Sequence, residues 1–136
     1  MKEIIAVVRM NKVNDTKKAL LDAGVAGFTA IKVMGRGKLV KDESIIAERQ
    51  EKLVKMANAA EKKGTQEFIK AFLVGERLFP RRMFTVLAHD EDVDGIVEAI
   101  MTVNRTAHNV GDGKIFVLPV LDAVRVRTGE TGEAAI

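Results

Sequence analysis

Apolar positions change their period several times along the chain, and each change marks an element. Ile4-Ile5-Ala6-Val7-Val8 is an unbroken apolar run of strand length, the pattern of a strand buried on both faces. Asn14 suits the N-cap of a helix through Ala23, with Leu20 and Leu21 on its inner side and Gly24 closing it. From Phe28 to Met34 the chain alternates, with Thr29, Ile31 and Val33 on one face and Ala30, Lys32 and Met34 on the other. Met83 to Ala88 reads as a third strand. Asp90 and Asp92 suit the positive end of a second helix, where Val93, Ile96, Val97, Ile100 and Met101 recur at helical spacing. Ile115 to Val120 is a fourth strand and Ala123 to Thr128 a short last one. The order strand, helix, strand, strand, helix, strand predicts an α+β, ferredoxin-like βαββαβ fold, an antiparallel sheet with two helices on one face. Many unrelated functions use that fold, so function has to come from a site.

The segment 39–79 interrupts this pattern. Asp42, Glu43 and Ser44 can start a helix, Ile46, Leu53, Met56, Ala57 and Ala60 follow at helical steps, and Lys62-Lys63-Gly64 would end it. Phe68, Ile69, Phe72, Leu73 and Val74 form a second apolar cluster. Long insertions in compact domains are usually functional or disordered, and this one is too apolar for a solvated linker. It reads as an arm whose apolar surfaces are covered by a partner; the alternative is that it folds back on its own domain.

Composition narrows the class. A chain of 136 residues, 47% apolar and 30% charged, fits a single domain over 1–136 with a real core. There is no cysteine, and His89 and His108 are far apart, so no metal site is expected. No apolar run approaches the roughly 20 residues of a membrane span, and Met-Lys-Glu opens into a strand pattern without a signal peptide. A cytoplasmic protein is expected. The net charge of +3 is spread along the chain, and without Trp or Tyr the six Phe form no paired stacking motif for RNA. No Ser/His/Asp grouping or paired carboxylates appear, so a binding protein is expected and not an enzyme.

The chemistry concentrates near the end. Gly111-Asp112-Gly113-Lys114 offers backbone N–H groups unobstructed by Cβ atoms, with a mobile cation beside them. Arg125 and Arg127, two apart on the expected last strand, would present two guanidinium forks on one face to a row of phosphate oxygens. The plainer alternative is a hairpin turn before a solvated basic strand.

These runs, GDGKIFV and then VRVRTGE, resemble the P-II signal-transduction family, as do the opening Met1 to Arg9, Gly24 to Thr29, and Gly35-Arg36-Gly37-Lys38. Residues 1–38 and 80–136 follow the family pattern without a gap; between them the chain departs, with an extended T-loop over about 39–79. That length, Arg36-Gly37-Lys38 and Leu118-Pro119-Val120 look most like the nitrogenase-associated branch. The resemblance implies a trimer, or a mixed oligomer with a related P-II subunit, with ATP or ADP in clefts between subunits. Its nucleotide site would comprise Thr29, Gly37, Lys38, Leu87, Gly111, Asp112, Gly113 and Lys114, with Arg125 and Arg127 reaching in from a neighbour. Leu87 would serve through its backbone at the adenine. It further implies magnesium with the ATP and 2-oxoglutarate beside the phosphates, for which Arg9 and Arg81 are the cations here. The family has a glutamine at position 39; this chain has Leu39, which cannot ligate magnesium. Without tyrosine, the uridylylation that controls some family members is excluded.

The function so implied is a nucleotide-sensing regulator that acts on nitrogenase through its long loop. The alternatives are the same sensor acting on an ammonium channel or a nitrogen-assimilation enzyme, a nucleotide-using enzyme, and a nucleic-acid-binding module of this fold.

Overall fold

In the computed structural model, residues 1–37, 78–107 and 111–136 are described. Lys38, Leu39, His108 and nearly all of the 39–79 arm, both apolar clusters included, lie outside them. The chain divides into a body, Met1–Val33 with Pro80–Ile136, and a second unit, Met34–Phe79.

Four strands, β1 (Lys2–Arg9), β2 (Thr29–Gly35), β3 (Phe79–Ala88) and β4 (Lys114–Pro119), form one sheet in the order β2-β3-β1-β4. Two helices, α1 (Val13–Asp22) and α2 (Val93–Asn104), complete the expected ferredoxin-like arrangement. β1 is central and antiparallel to both neighbours, placing Ile4 opposite Val86 and Val117, and Val7 opposite Met83 and Lys114.

The core follows from alternation along the two central strands. Ile4, Ala6 and Val8 of β1 and Phe84, Val86 and Ala88 of β3 are buried together with Leu20 of α1 and Ile96 and Ile100 of α2. Phe28 seals this layer, meeting Phe84 edge-on with ring centroids 5.7 Å apart. The opposite sheet face carries Ile5, Val7 and Met83, half-buried, and Leu87, Phe116 and Leu118, exposed. Among the described residues β1 is covered by helices on one face only, and Ile5 and Val7 on its other face are half-buried.

Several local expectations change. Asn14 is not a cap: a 3-10 turn, Met10–Lys12, precedes α1, and Lys12 holds the N-cap position without a side-chain bond. The first turn is tied instead by Thr16, whose hydroxyl donates to the Lys12 carbonyl at 2.7 Å. Leu20 is fully buried but Leu21 is 62% exposed, because α1 rests on the sheet along a narrow stripe. Gly24 does close the helix, at φ 78°, with Gly24 N–H bonded to Leu21 O and Val25 N–H to Leu20 O, a Schellman ending. β2, expected half-buried, is exposed along most of its length, as an edge strand beside only one neighbour. β3 starts four residues before the expected Met83. The last strand does not form: after β4 the described chain has only an isolated bridge between Val124 and Thr131 around a turn, then a 3-10 turn, Gly132–Ala135.

Candidate functional site

The glycine loop enters the sheet at its upper end, as drawn with Arg9 at the top of β1. Lys114, the first residue of β4, stands opposite Val7 of β1. Just before it, Gly113 passes so close to β1 that a Cβ there would lie 2.3 Å from the Val7 carbonyl oxygen, with φ at 115°. Only glycine fits that approach. Gly111 also has positive φ, 94°, but open space around it.

Between the two glycines Asp112 is engaged by several partners. Its carboxylate accepts from the Thr106 backbone N–H at 2.8 Å and the Thr106 hydroxyl at 2.7 Å. It also pairs with Arg9 Nη2 at 3.0 Å. That nitrogen donates as well to the carbonyl of Asn104, the last residue of α2, at 3.2 Å, where a cation suits the helix C-terminus. Asn104 is buried and donates its amide to Thr16 Oγ1 at 2.9 Å. Across the sheet Arg81 stands directly opposite Arg9, and its Nη1 donates to the Pro80 carbonyl. Beside the loop lies a cavity of about 410 Å³ between α2 and β4, floored by Val8, Ile100 and Ile115 and reaching Arg105 and Lys114 at its rim.

The sequence-predicted residues thus fall into groups. Gly111, Asp112, Gly113, Lys114, Arg9 and Arg81 gather at one end of the sheet. Leu87 pairs with Glu3, toward the other end of β1, and Thr29 opens β2. Gly37 is exposed and belongs to the second unit, while Lys38 lies outside the described residues.

Arg125 and Arg127 are not on a strand, so the alternation that would put both on one face does not operate. They lie at a turn in which Gly129 N–H bonds to Arg125 O at 2.8 Å, and Glu130 accepts from Arg125 Nη1 at 2.6 Å and from the Thr128 hydroxyl at 2.7 Å. The local charge sequence Arg-Val-Arg-Thr-Gly-Glu favours that closure over an open strand. The segment is anchored at the lower end of the sheet. Glu133 accepts from the Met1 ammonium at 2.7 Å and contacts His89 Nδ1 at 2.6 Å. Those hydrogen bonds, Met1's first and His89's second, hold the Glu133 carboxyl below its ordinary pKa, and Asp90 is lowered likewise, chiefly by its hydrogen bond from Met1.

Thr106, Asn104 and Thr16 were not singled out from the sequence. Their contacts join residues up to 95 positions apart, so no local spacing announces them. Among the described residues no group of three or more His, Asp or Glu could hold a metal ion, and no helix is long and apolar enough to cross a membrane.

Comparison with known proteins gives the family. The family model for nitrogen regulatory protein P-II matches residues 1–130. A "nitrogen fixation nifHD region GlnB-like protein 2" of Methanobacterium ivanovii is 43% identical over an alignment covering all of this chain and 99% of the relative. A "nifHD1 region GlnB-like protein 2" of Methanosarcina barkeri is 39% identical, with 100% and 99% covered. A "nitrogen regulatory protein P-II" of Cereibacter sphaeroides is 34% identical, with both chains fully covered. With the fold, the glycine loop and the basic C-terminal segment all in place, the chain belongs to the nitrogen regulatory protein P-II family.

Proposed function

We propose that this protein is a cytoplasmic, non-catalytic regulator that binds ATP or ADP and acts on nitrogenase through its 39–79 arm. It works as a trimer or as a mixed assembly with a related P-II chain. The observation that carries the reading is the separation of its two basic segments. The glycine loop precedes Lys114 and the arginine segment follows Pro119, at opposite ends of β4. Five strand steps of about 3.4 Å separate those ends by roughly 17 Å. The anchoring of Glu133 on Met1 and His89 keeps the arginine segment at its own end. One chain therefore does not close both around a single polyphosphate, whereas two copies do when the C-terminal segment of one reaches the loop of the next.

Exposed apolar surface favours the same assembly. Leu121 is 100% and Val126 99% exposed on either side of Arg125, and the sheet's open face presents Phe116 and Leu118. Such surface is normally covered by a partner. In the assembled site the amides of the glycine loop and Lys114 would meet the phosphates, with Arg125 and Arg127 closing over them. Thr29 and the backbone at Leu87 would read the base. Magnesium would travel with the triphosphate, and 2-oxoglutarate would draw on Arg81 with Arg9 beside it. The names of the nifHD-region relatives bring nitrogenase forward as the target.

Calorimetry and light scattering on the wild type and on Arg125→Ala/Arg127→Ala test the reading. Each arginine supplies charge-assisted bonds of about 1.5–3 kcal/mol, so the double variant should bind ATP at least about tenfold more weakly while staying oligomeric. Unchanged ATP affinity in the double variant, or a wild-type monomer with full affinity, overturns it.

A further inference from the structure

A carboxylate within a phosphate-binding loop calls for an explanation, because its charge opposes the ligand. Asp112 has one in its contacts. It accepts two hydrogen bonds from Thr106, at 2.8 and 2.7 Å, and pairs with Arg9 at 3.0 Å. Arg9 at once holds the Asn104 carbonyl, and Asn104 holds Thr16, which holds the Lys12 carbonyl. An unbroken chain of contacts thus runs from the start of α1, through the last residue of α2, to the middle of the glycine loop. Both Arg9 and Asp112 side chains are mostly covered, at 23% and 28% exposure, so the pair is less screened than a surface ion pair.

We propose that Asp112 and Arg9 form a latch that positions the glycine loop, making Asp112 a positioning residue and not a phosphate contact. The inference rests on the nucleotide reading above and adds how that site is held in shape. A loop with glycines on both sides of Asp112 loses more backbone freedom on ordering than any other kind. The amides that would face phosphate stay aligned only when something between them is fixed, and Asp112 is the residue fixed. Arg9 neutralises the carboxylate, so the anchor does not repel the ligand it serves. Gly113 closes the register from the other side through its approach to Val7. An oxoacid that draws on Arg9 would share this guanidinium with Asp112, which couples the oxoacid and the loop reciprocally.

The latch and simple electrostatics make opposite predictions for Asp112→Asn. If Asp112 acted only through its charge, Asp112→Asn would bind ATP more tightly and Arg9→Ala more weakly. With a latch both variants bind ATP about tenfold more weakly, and the double variant is no worse than the weaker single, since each removes the same device. The loss should be larger for ATP than for AMP, because it acts on the phosphates. In the ligand-free protein, amide hydrogen exchange at 111–114 should quicken in both single variants while core amides of β1 and α2 keep their protection. Arg9→Ala is the second route should Asp112→Asn unfold. Tighter or equal ATP binding by Asp112→Asn, additive losses in the double variant, or unchanged loop exchange overturns the latch. A wild type that binds neither nucleotide would sink the nucleotide reading alone, since the exchange measurement still decides the latch.

Discussion

Gly113 and Gly111 look alike in the sequence, and the structure separates them. A Cβ at Gly113 would meet both an unfavourable φ of 115° and the Val7 carbonyl at 2.3 Å, while one at Gly111 meets only the φ of 94°. Gly111→Ala should therefore cost about 1–2 kcal/mol, the left-handed penalty for an L residue. Gly113→Ala should cost about 2–4 kcal/mol, because a backbone atom of the central strand also has to move. Denaturant unfolding of the two variants checks the order, which equal costs would contradict. That a glycine was needed here was legible from the Gly-Asp-Gly motif; which of the two is sterically obligatory was not. The reason is that Val7 lies over a hundred positions away in the chain.

For elements, periodicity succeeded in proportion to how one-sided each environment is. α2 came out as its spacing indicated, with Ile96 and Ile100 in the core and Val93 and Val97 packed against it. α1 carries fewer apolar residues, and the adjacent Leu20 and Leu21 could not both face the sheet at 100° apart. Leu20→Ala should lower stability by about 2–5 kcal/mol, and Leu21→Ala by no more than about 0.5 kcal/mol in the isolated chain. Thermal or urea unfolding distinguishes them, and a large loss at Leu21 would mean that its face is covered. The expected last strand failed for a different reason. Its alternating Val124-Arg125-Val126-Arg127 has strand character, but the segment closes on itself through Glu130 and Gly129, so local hydrogen bonds outcompeted a ladder with β4.

At the scale of the whole molecule, the arm and the body have separable tasks in the proposed function. The glycine loop, β4 and the arginine segment all belong to the body, whereas 34–79 forms a unit of its own. Replacing about residues 44–74 with a short linker should leave ATP affinity within about threefold of wild type and abolish association with nitrogenase. Pull-down and calorimetry on one preparation read both, and a shortened protein that still inhibits nitrogenase would remove the arm as effector surface. The outcome would also show whether the arm's apolar clusters serve a partner, a question that their periodicity raises but does not decide.

What this sequence determined by itself was the type and order of four strands and two helices, the glycine loop, and through GDGKIFV and VRVRTGE the family. These are local signals: hydrophobic period, turn chemistry and contiguous motifs act over a few residues, where backbone sterics and side-chain spacing decide. What only the tertiary structure decided was which apolar face is covered, how Asp112 is employed, and what anchors the C-terminal segment that follows the arginines. Those depend on contacts such as Arg9 with Asp112 and Asn104 with Thr16, between residues far apart in the chain. Such pairs leave no mark on either residue's neighbours, because the partner is chosen by packing the helices on one side of the sheet.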